Sequence, residues 1–407
     1  MGWFQNIFSQ KSSVNTFRTV AVSDLFQGWF TNQTKAGANI TTQTALMVPV
    51  VLCAARVLSE GTAQLPIVIK RGKITGDRMH FSPAYDHWSW QLLRKRPNAW
   101  MTSFEFREAL TFHAVLNGNG YAYLVRGIND EVTEMLPVSS DMCQPEQLTD
   151  YTVQYRISDG RGLLGIVAAK DMLHIHGPSW NMIGGLNVMM KAAEAIGLAQ
   201  VLQDQQSNLA GNGNRPSGIL SNKQPLGTEA KDKLKKSWLD RFGPGGEGGV
   251  AVLDGDWAYN SLMMTGVDSQ HLQTRDHQIA EICRAMRVFP QMVISGVDKT
   301  TTYGSAEQFF IAHVKHSLGP WIERWEQAIE RSILQDETLE CEFDTSWLES
   351  GTMADRFDAY AKAQGSGGSK GWMTANDIRA REGYNPHEQG DDLPIGTIPP
   401  QIGTPTP

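Results

Sequence analysis

Three things are scarce in this 407-residue chain: cysteine, an excess of positive charge, and uninterrupted apolar sequence. The four cysteines, Cys53, Cys143, Cys283 and Cys341, stand far apart, with no CxxC pair and no histidine cluster beside them. That argues against a structural zinc site, and isolated thiols in a chain of this length suit a reducing cytoplasm, each serving as a small hydrophobe. Lys and Arg number 36 against 43 Asp and Glu, a formal net charge of -7. Proteins that grip DNA specifically present a basic face; this chain shows none globally, so it either avoids DNA or touches it weakly enough to let it slide. The longest apolar run, Ala45 to Ala55, contains Pro49 and stops at Arg56. It falls well short of the roughly 20 residues a membrane span needs. The opening MGWFQNIFSQKSSV lacks a basic segment and an unbroken apolar core, so it does not read as a signal peptide. No internal repeat is visible.

Motifs of chemistry are missing too. No G-x-x-x-x-G-K-[ST] occurs, so the chain carries no P-loop for ATP hydrolysis. There is no G-x-S-x-G, no credible Cys–His dyad and no H-E-x-x-H. The string GPGGEG (243–248) matches a dinucleotide fingerprint only literally. A helix precedes it and a strand follows, the reverse of the order that cradles a pyrophosphate, so it reads as a surface loop. No cofactor is expected.

What is present describes a folded chain. Hydrophobic residues make up 41% and charged residues 19%, and the length exceeds one typical core, so two or three substructures are expected. Twelve tryptophans suit either core packing or large interfaces. The periodicity predicts an α+β chain. Residues 1–40 read as a mobile arm. A helix is expected from Thr44, as cap, to Gly61, followed by a β-rich run at 65–73. A second helix, capped by Ser103, covers 103–116. A Gly/Asn turn and a strand are expected at 117–127, and the runs within 131–177 read as a small antiparallel sheet. A long helix follows at 185–210, then an α/β insert at 212–265 with a helix from Thr228 to Phe242. Helices are expected at 268–287 and 305–334, a strand at 339–344, and helices at 355–364 and 374–382. The tail from Pro394, with five prolines in fourteen residues, reads as disordered.

Two carboxylates and two histidines could hold metal. Glu342 and Asp344 alternate on a strand and share a face, as paired acids do in metal-dependent nucleases. His174 and His176 form an H-x-H with both rings on one side. Neither pair has a further ligand nearby, so a half-buried strand edge is the preferred reading of the histidines and an ordinary exposed face that of the acids. The helix at 228–242 is unusually basic, with Lys231, Lys233, Lys235, Lys236 and Arg241; it is a solvated face or a docking surface for an acidic partner. The loop at 298–304 joins Lys299 to Thr300, Thr301 and Thr302, side chains that contact phosphates without reading bases.

Three segments in this order resemble the portal family of tailed phages. The first is HGPSWNMIGGLNVMMKAAEAIGLA (176–199). The second is NGNRPSGIL (212–220), continued by VAVLDGDWAYNSL (250–262). The third is DSQHLQTRDHQIAEICRAMRVFPQMV (268–293), with YGSAEQFFIAHVKHSLGPWIERWEQAIE (303–330) after it. TANDIRAREGYNP (374–386) looks like the family's C-terminal segment, and the likeness spans roughly 40–390. Phe289-Pro290 stands where the family commonly has Pro-Pro, and the insert between the paired helices is short.

The resemblance implies a structural protein and not an enzyme: a ring, usually of twelve subunits, at one capsid vertex. Its parts would be an arm (1–40), a wing (41–184), a first stem helix (185–211), a clip (212–267) and a second stem helix (268–288). A tunnel loop, long helix and returning wing (289–348), a crown (349–393) and a disordered tail (394–407) complete it. Lys299 and Thr300–Thr302 would touch double-stranded DNA without sequence preference. Lys231, Lys235, Lys236 and Arg241 would belong to a docking surface. The partners implied are further copies of the chain, the terminase large subunit, the major capsid and scaffolding proteins, and a head–tail connector. The place implied is the virion, after assembly in the host cytoplasm. The alternatives are a metal-dependent DNA-processing enzyme, with Glu342 and Asp344 as ligands, or another virion structural protein, which would be β-rich where this chain has long central helices.

Overall fold

The computed structural model describes residues 34–393 except 77, 159–162, 212–217, 223–226, 230–231, 234–235, 237–256, 262–266, 294–302, 346–352 and 366–370. The chain divides into two compact units, one of residues 1–299 with 315–343, the other of 300–314 with 344–407.

In the first unit the helical start at Thr44 resolves into two helices. Thr41 caps α1 (Thr42–Leu46), and Thr44 answers as the third residue of a capping box. The chain then re-enters helix at Pro49, whose missing N–H is harmless in a first turn, and α2 runs Pro49–Ala63. Strands β1 (Ile67–Thr75) and β2 (Arg78–Pro83) form an antiparallel pair, and α3 (Trp88–Arg94) follows. Helix α4 (Ser103–Asn117) is capped by Thr102, one residue before the Ser103 expected from sequence, because Thr102 and Glu105 bond reciprocally to each other's backbone. It ends at Gly118, at φ 85°, where an added Cβ would lie 2.5 Å from the Leu186 carbonyl oxygen.

The strands at 119–176 make two sheets, not one. Strands β3 (Asn119–Arg126), β4 (Val132–Val138) and β8 (Met172–His176) form one in the order β4-β3-β8, and β5 (Cys143–Gln147), β6 (Val153–Ser158) and β7 (Leu163–Ala168) form the other in chain order. Tyr121, Val138, Cys143, Tyr155, Ile157, Val167 and Met172, drawn from both sheets, fuse into one buried cluster.

The helix expected at 185–210 is broken at Ala192 into α5 (Val188–Lys191) and α6 (Ala193–Gly211). Strands β9 (Gly218–Asn222) and β10 (Trp257–Ser261) pair antiparallel, and α7 (Val267–Met286) follows. The remaining helices are α8 (Tyr303–His313) in the second unit and α9 (Gly319–Ile329) in the first. π-Helical turns at Val314–Leu318 and Glu330–Leu334 interrupt the single helix expected over 305–334.

Helix α9 organises the first unit's core. Trp321, Ile322, Trp325, Ala328 and Ile329 recur at helical spacing and are buried. The indole N–H of Trp325 donates to Thr111 Oγ1 of α4 at 2.9 Å, and its ring meets Phe106 edge-on at 6.4 Å. The opposite side of the helix reaches β11 (Leu339–Phe343), an edge strand paired antiparallel with β1. Glu326 accepts the Phe343 N–H at 2.7 Å and Glu330 accepts that of Cys341 at 2.9 Å. Two donors of the sheet edge are thereby closed by side chains.

In the second unit, α8, α10 (Met353–Ala363) and α11 (Ala375–Arg381) are helical. Thr374 caps α11 in a box with Asp377. Glu382 accepts the Tyr360 hydroxyl at 3.0 Å and pairs with Arg356 at 3.4 Å.

Trp325→Phe leaves a buried hydroxyl unsatisfied and Thr111→Val a buried indole N–H. Each is expected to lower unfolding free energy by about 1–3 kcal/mol in denaturant titrations. The double variant is expected to lose less than the sum of the two; strict additivity would show that the bond contributes nothing.

Candidate functional site

The longest helices of the first unit, α6 and α7, are partners. Arg275 donates to Gln206 Oε1 at 3.0 Å. Where the two helices meet the start of α2, Val48, Val50, Leu202, Ile279 and Ile282 line a shallow apolar groove. The pair brackets residues 212–266, in which β9 and β10 form the described hairpin. Among the described residues, two long helices thus flank this hairpin.

Of the residues expected to dock a partner, Lys236 lies in helical backbone and is exposed. Lys231, Lys235 and Arg241 fall outside the described residues, as do Lys299, Thr300, Thr301, Thr302 and the GPGGEG string. The neighbouring Lys233 pairs with Glu229 at 3.2 Å along the same helical stretch.

Glu342 and both candidate histidines have other occupations, and Asp344 lies just beyond the end of β11 at Phe343, not on the strand as expected. Glu342 on β11 is ion-paired with Lys70 on β1. His174, 3% exposed, is deeper than the half-buried edge residue expected. Both of its nitrogens are engaged, Nδ1 with the Tyr155 hydroxyl at 3.2 Å and Nε2 with Asn119 Oδ1 at 3.0 Å. An amide oxygen only accepts, so Nε2 carries the proton and Nδ1 accepts from Tyr155, which defines a neutral ring. Its face stacks on Tyr121 at 4.5 Å. Burial above all, joined by His176 and Arg331, holds its pKa down at about 3. His176 uses Nδ1–H on the Gly177 carbonyl at 2.9 Å. Among the described residues no group of three or more His, Cys, Asp or Glu is placed to hold a metal ion. All four cysteines are free, and burial raises the Cys143, Cys283 and Cys341 thiols, which makes them poor nucleophiles at neutral pH.

Sequence reasoning missed a polar cleft of about 200 Å³ between β8 and α9, lined by His174, His176, Arg324, Gln327, Ala328 and Arg331. A signal for it existed: 324, 327, 328 and 331 follow the i, i+3, i+4, i+7 spacing of one helix face.

Loss of the neutral His174 pocket has a pH signature. The folded-state pKa is depressed, so the stabilisation is complete above the ordinary histidine value near 6.5 and is lost as pH falls toward about 3. His87, His113 and His313, also lowered by burial, add to the same slope. Urea unfolding at pH 7, 6 and 5 is expected to show His174→Gln less stable at pH 7. Its acid slope is expected to be shallower by up to about 1.4 kcal/mol per pH unit. An unchanged slope would show that the ring is not neutral in the folded protein.

Comparison with known proteins agrees with this architecture. The family model described as phage portal protein matches residues 49–383. The portal protein of Enterobacteria phage HK97 is 28% identical over 306 residues, covering 74% of this chain and 70% of that one. Among solved structures, an HK97-family phage portal protein from Corynebacterium diphtheriae superposes with a TM-score of 0.56 at 18% identity, over 79% of this chain and 99% of that one. A chain from the neck of a native gene transfer agent particle, computed with C12 symmetry, gives 0.54 at 19% identity, over 85% and 92%. With the paired helices, the bracketed insert and a family match across most of its length, this chain belongs to the phage portal protein family, whose members are structural, non-catalytic components of the phage head.

Proposed function

We propose that the chain is the subunit of a closed ring of twelve copies at one capsid vertex, the channel for double-stranded DNA during packaging and ejection. The observation that carries the reading is the pairing of α6 with α7 around the 212–266 insert, which suits a stem with a tip. The C12 symmetry of the gene transfer agent neck, in which a chain of like fold sits, supports the subunit number. The net charge of -7 suits a channel whose contacts must not arrest a moving duplex.

In this reading residues 41–184 and the later part of 289–348 form the wing, 185–211 and 268–288 the stem, 212–267 the clip, and 349–393 the crown. Residues 1–40 are an arm and 394–407 a tail. Lys299 and Thr300–Thr302 form a hydroxyl-rich tunnel loop that slides on phosphates. Lys231, Lys235, Lys236 and Arg241 belong to the clip surface that receives the terminase large subunit and later the head–tail connector. The ring assembles in the host cytoplasm with scaffolding and major capsid protein and ends in the virion. The rival nuclease reading is weakened by the engagement of Glu342 with Lys70.

Negative-stain microscopy and native mass of the purified chain are expected to show rings with a central hole at about twelve chain masses. A species that stays monomeric under all assembly conditions and cuts DNA with Mg²⁺ would overturn the reading. Lys235→Glu with Lys236→Glu is expected to weaken terminase or connector binding about tenfold or more in pull-down titrations while rings persist. Undiminished binding would remove these lysines from the docking surface.

A further inference from the structure

The cleft between β8 and α9 has no role in the channel reading or in the core. Arg324 and Arg331 project into it from one helix face, His176 from the facing strand, and the buried His174 closes its base. No carboxylate lines it. Arg324 is half-buried; it lies over the Trp321 ring at 5.0 Å and gives one N–H to the Pro320 carbonyl at 3.1 Å. Among the described residues neither arginine is within ion-pairing distance of an acid. Arg331 acts electrostatically on His174 and Tyr155, and Arg287 on Arg324 after burial itself. The acid nearest the lining, Glu323, accepts from Gln327 at 2.5 Å and is ion-paired with neither arginine.

A half-buried guanidinium without a counter-charge leaves its desolvation uncompensated, and the planar fork of arginine matches the two oxygens of a carboxylate. The recess selects among anions. At about 200 Å³, with His174, 3% exposed, among its lining, it has room for a carboxylate side chain between the two arginines. The phosphates of a duplex lie on the outside of a stiff rod and can reach the exposed Arg331, whereas the half-buried Arg324 is presented to a side chain that enters the recess. A second copy of this chain, with 43 acidic against 36 basic residues, is rich in the complementary group. In a head-to-tail ring each copy gives one such group and receives one, so the contact repeats around the closure.

We propose that this cleft receives an Asp or Glu side chain of the neighbouring copy and forms an ion pair between subunits, an inference that rests on the ring reading above. The test compares wild type, Arg331→Gln and Arg324→Gln/Arg331→Gln by native mass spectrometry across NaCl and protein concentration. Arg331 is exposed, so its single variant is expected to keep the wild-type circular dichroism and melting profile even if the double variant does not. The expected result is that the variants need about tenfold more protein to form rings, or lose them at lower salt. Wild-type rings with variants of equal ring stability would overturn the inference alone; a wild type that never forms rings would remove the ring reading with it. Rings of Arg331→Lys assembled from equal isotopically light and heavy chains are then treated with a zero-length carbodiimide. A mixed-isotope peptide joining Lys at 331 to an acid is expected, whereas coupling only within one copy, or none, overturns the proposal. Loss of duplex-DNA affinity at unchanged ring stability would make the cleft a nucleic-acid contact and also overturn it.

Discussion

A buried indole N–H must find an acceptor, and much of the first unit is arranged around how Trp325 finds one. Its bond to Thr111 fixes α9 against α4 in both depth and rotation. Once that rotation is set, the other positions of α9 have no freedom. Glu326 and Glu330 fall over the N–H groups of β11, and Arg324, Gln327 and Arg331 turn toward β8. One helix therefore packs a core, closes a sheet edge and builds one wall of a charged cleft. Burial raises the pKa of Glu326, although its bond to Phe343 opposes the shift, so edge closure is bought with the desolvation of a carboxylate.

Local signals were legible in the sequence where local physics decides. Ser103 and Glu105 place a helix start to within one residue of the true cap, Thr102, and the Gly/Asn turn after 116 places its end. The existence of the two long helices that flank the insert was legible from their composition and pattern, whereas their pairing was an implication of the resemblance. Sheet assignment did not follow, since Tyr121 and Tyr155 belong to separate sheets and only the packed cluster shows it. The break at Ala192 and the π-helical turn at Glu330–Leu334 carry no compositional mark. The turn at Val314–Leu318 does: Gly319-Pro320 follows it, and Pro320 has no N–H to continue the ladder, a mark the expectation of one helix over 305–334 passed over. His174 is the sharpest case among the candidate sites. Its spacing to His176 suggested a ligand pair or an edge, while its neutral state is decided by Tyr155 and Asn119, which lie 19 and 55 positions away.

The charge pattern has the same two-level character. The chain as a whole is acidic, yet the cleft is a local reversal. A uniform acidic surface would repel its own copies, whereas local reversals give orientation to an approach. The covered edge of β11 works in the same direction, because it removes one route of unspecific strand pairing between copies.

The pairing of β1 with β11 joins Lys70 to Glu342 across 272 positions of chain. During synthesis β1 leaves the ribosome with one flank vacant, and it stays so until the chain has grown through Phe343. Such a long-range closure is slow and makes completion of the sheet a late event, so a truncated product retains an open flank and is marked as unfinished. The bracketed insert lies between the two strands in sequence and takes no part in their register, so it can lengthen or shorten over generations without altering how they meet.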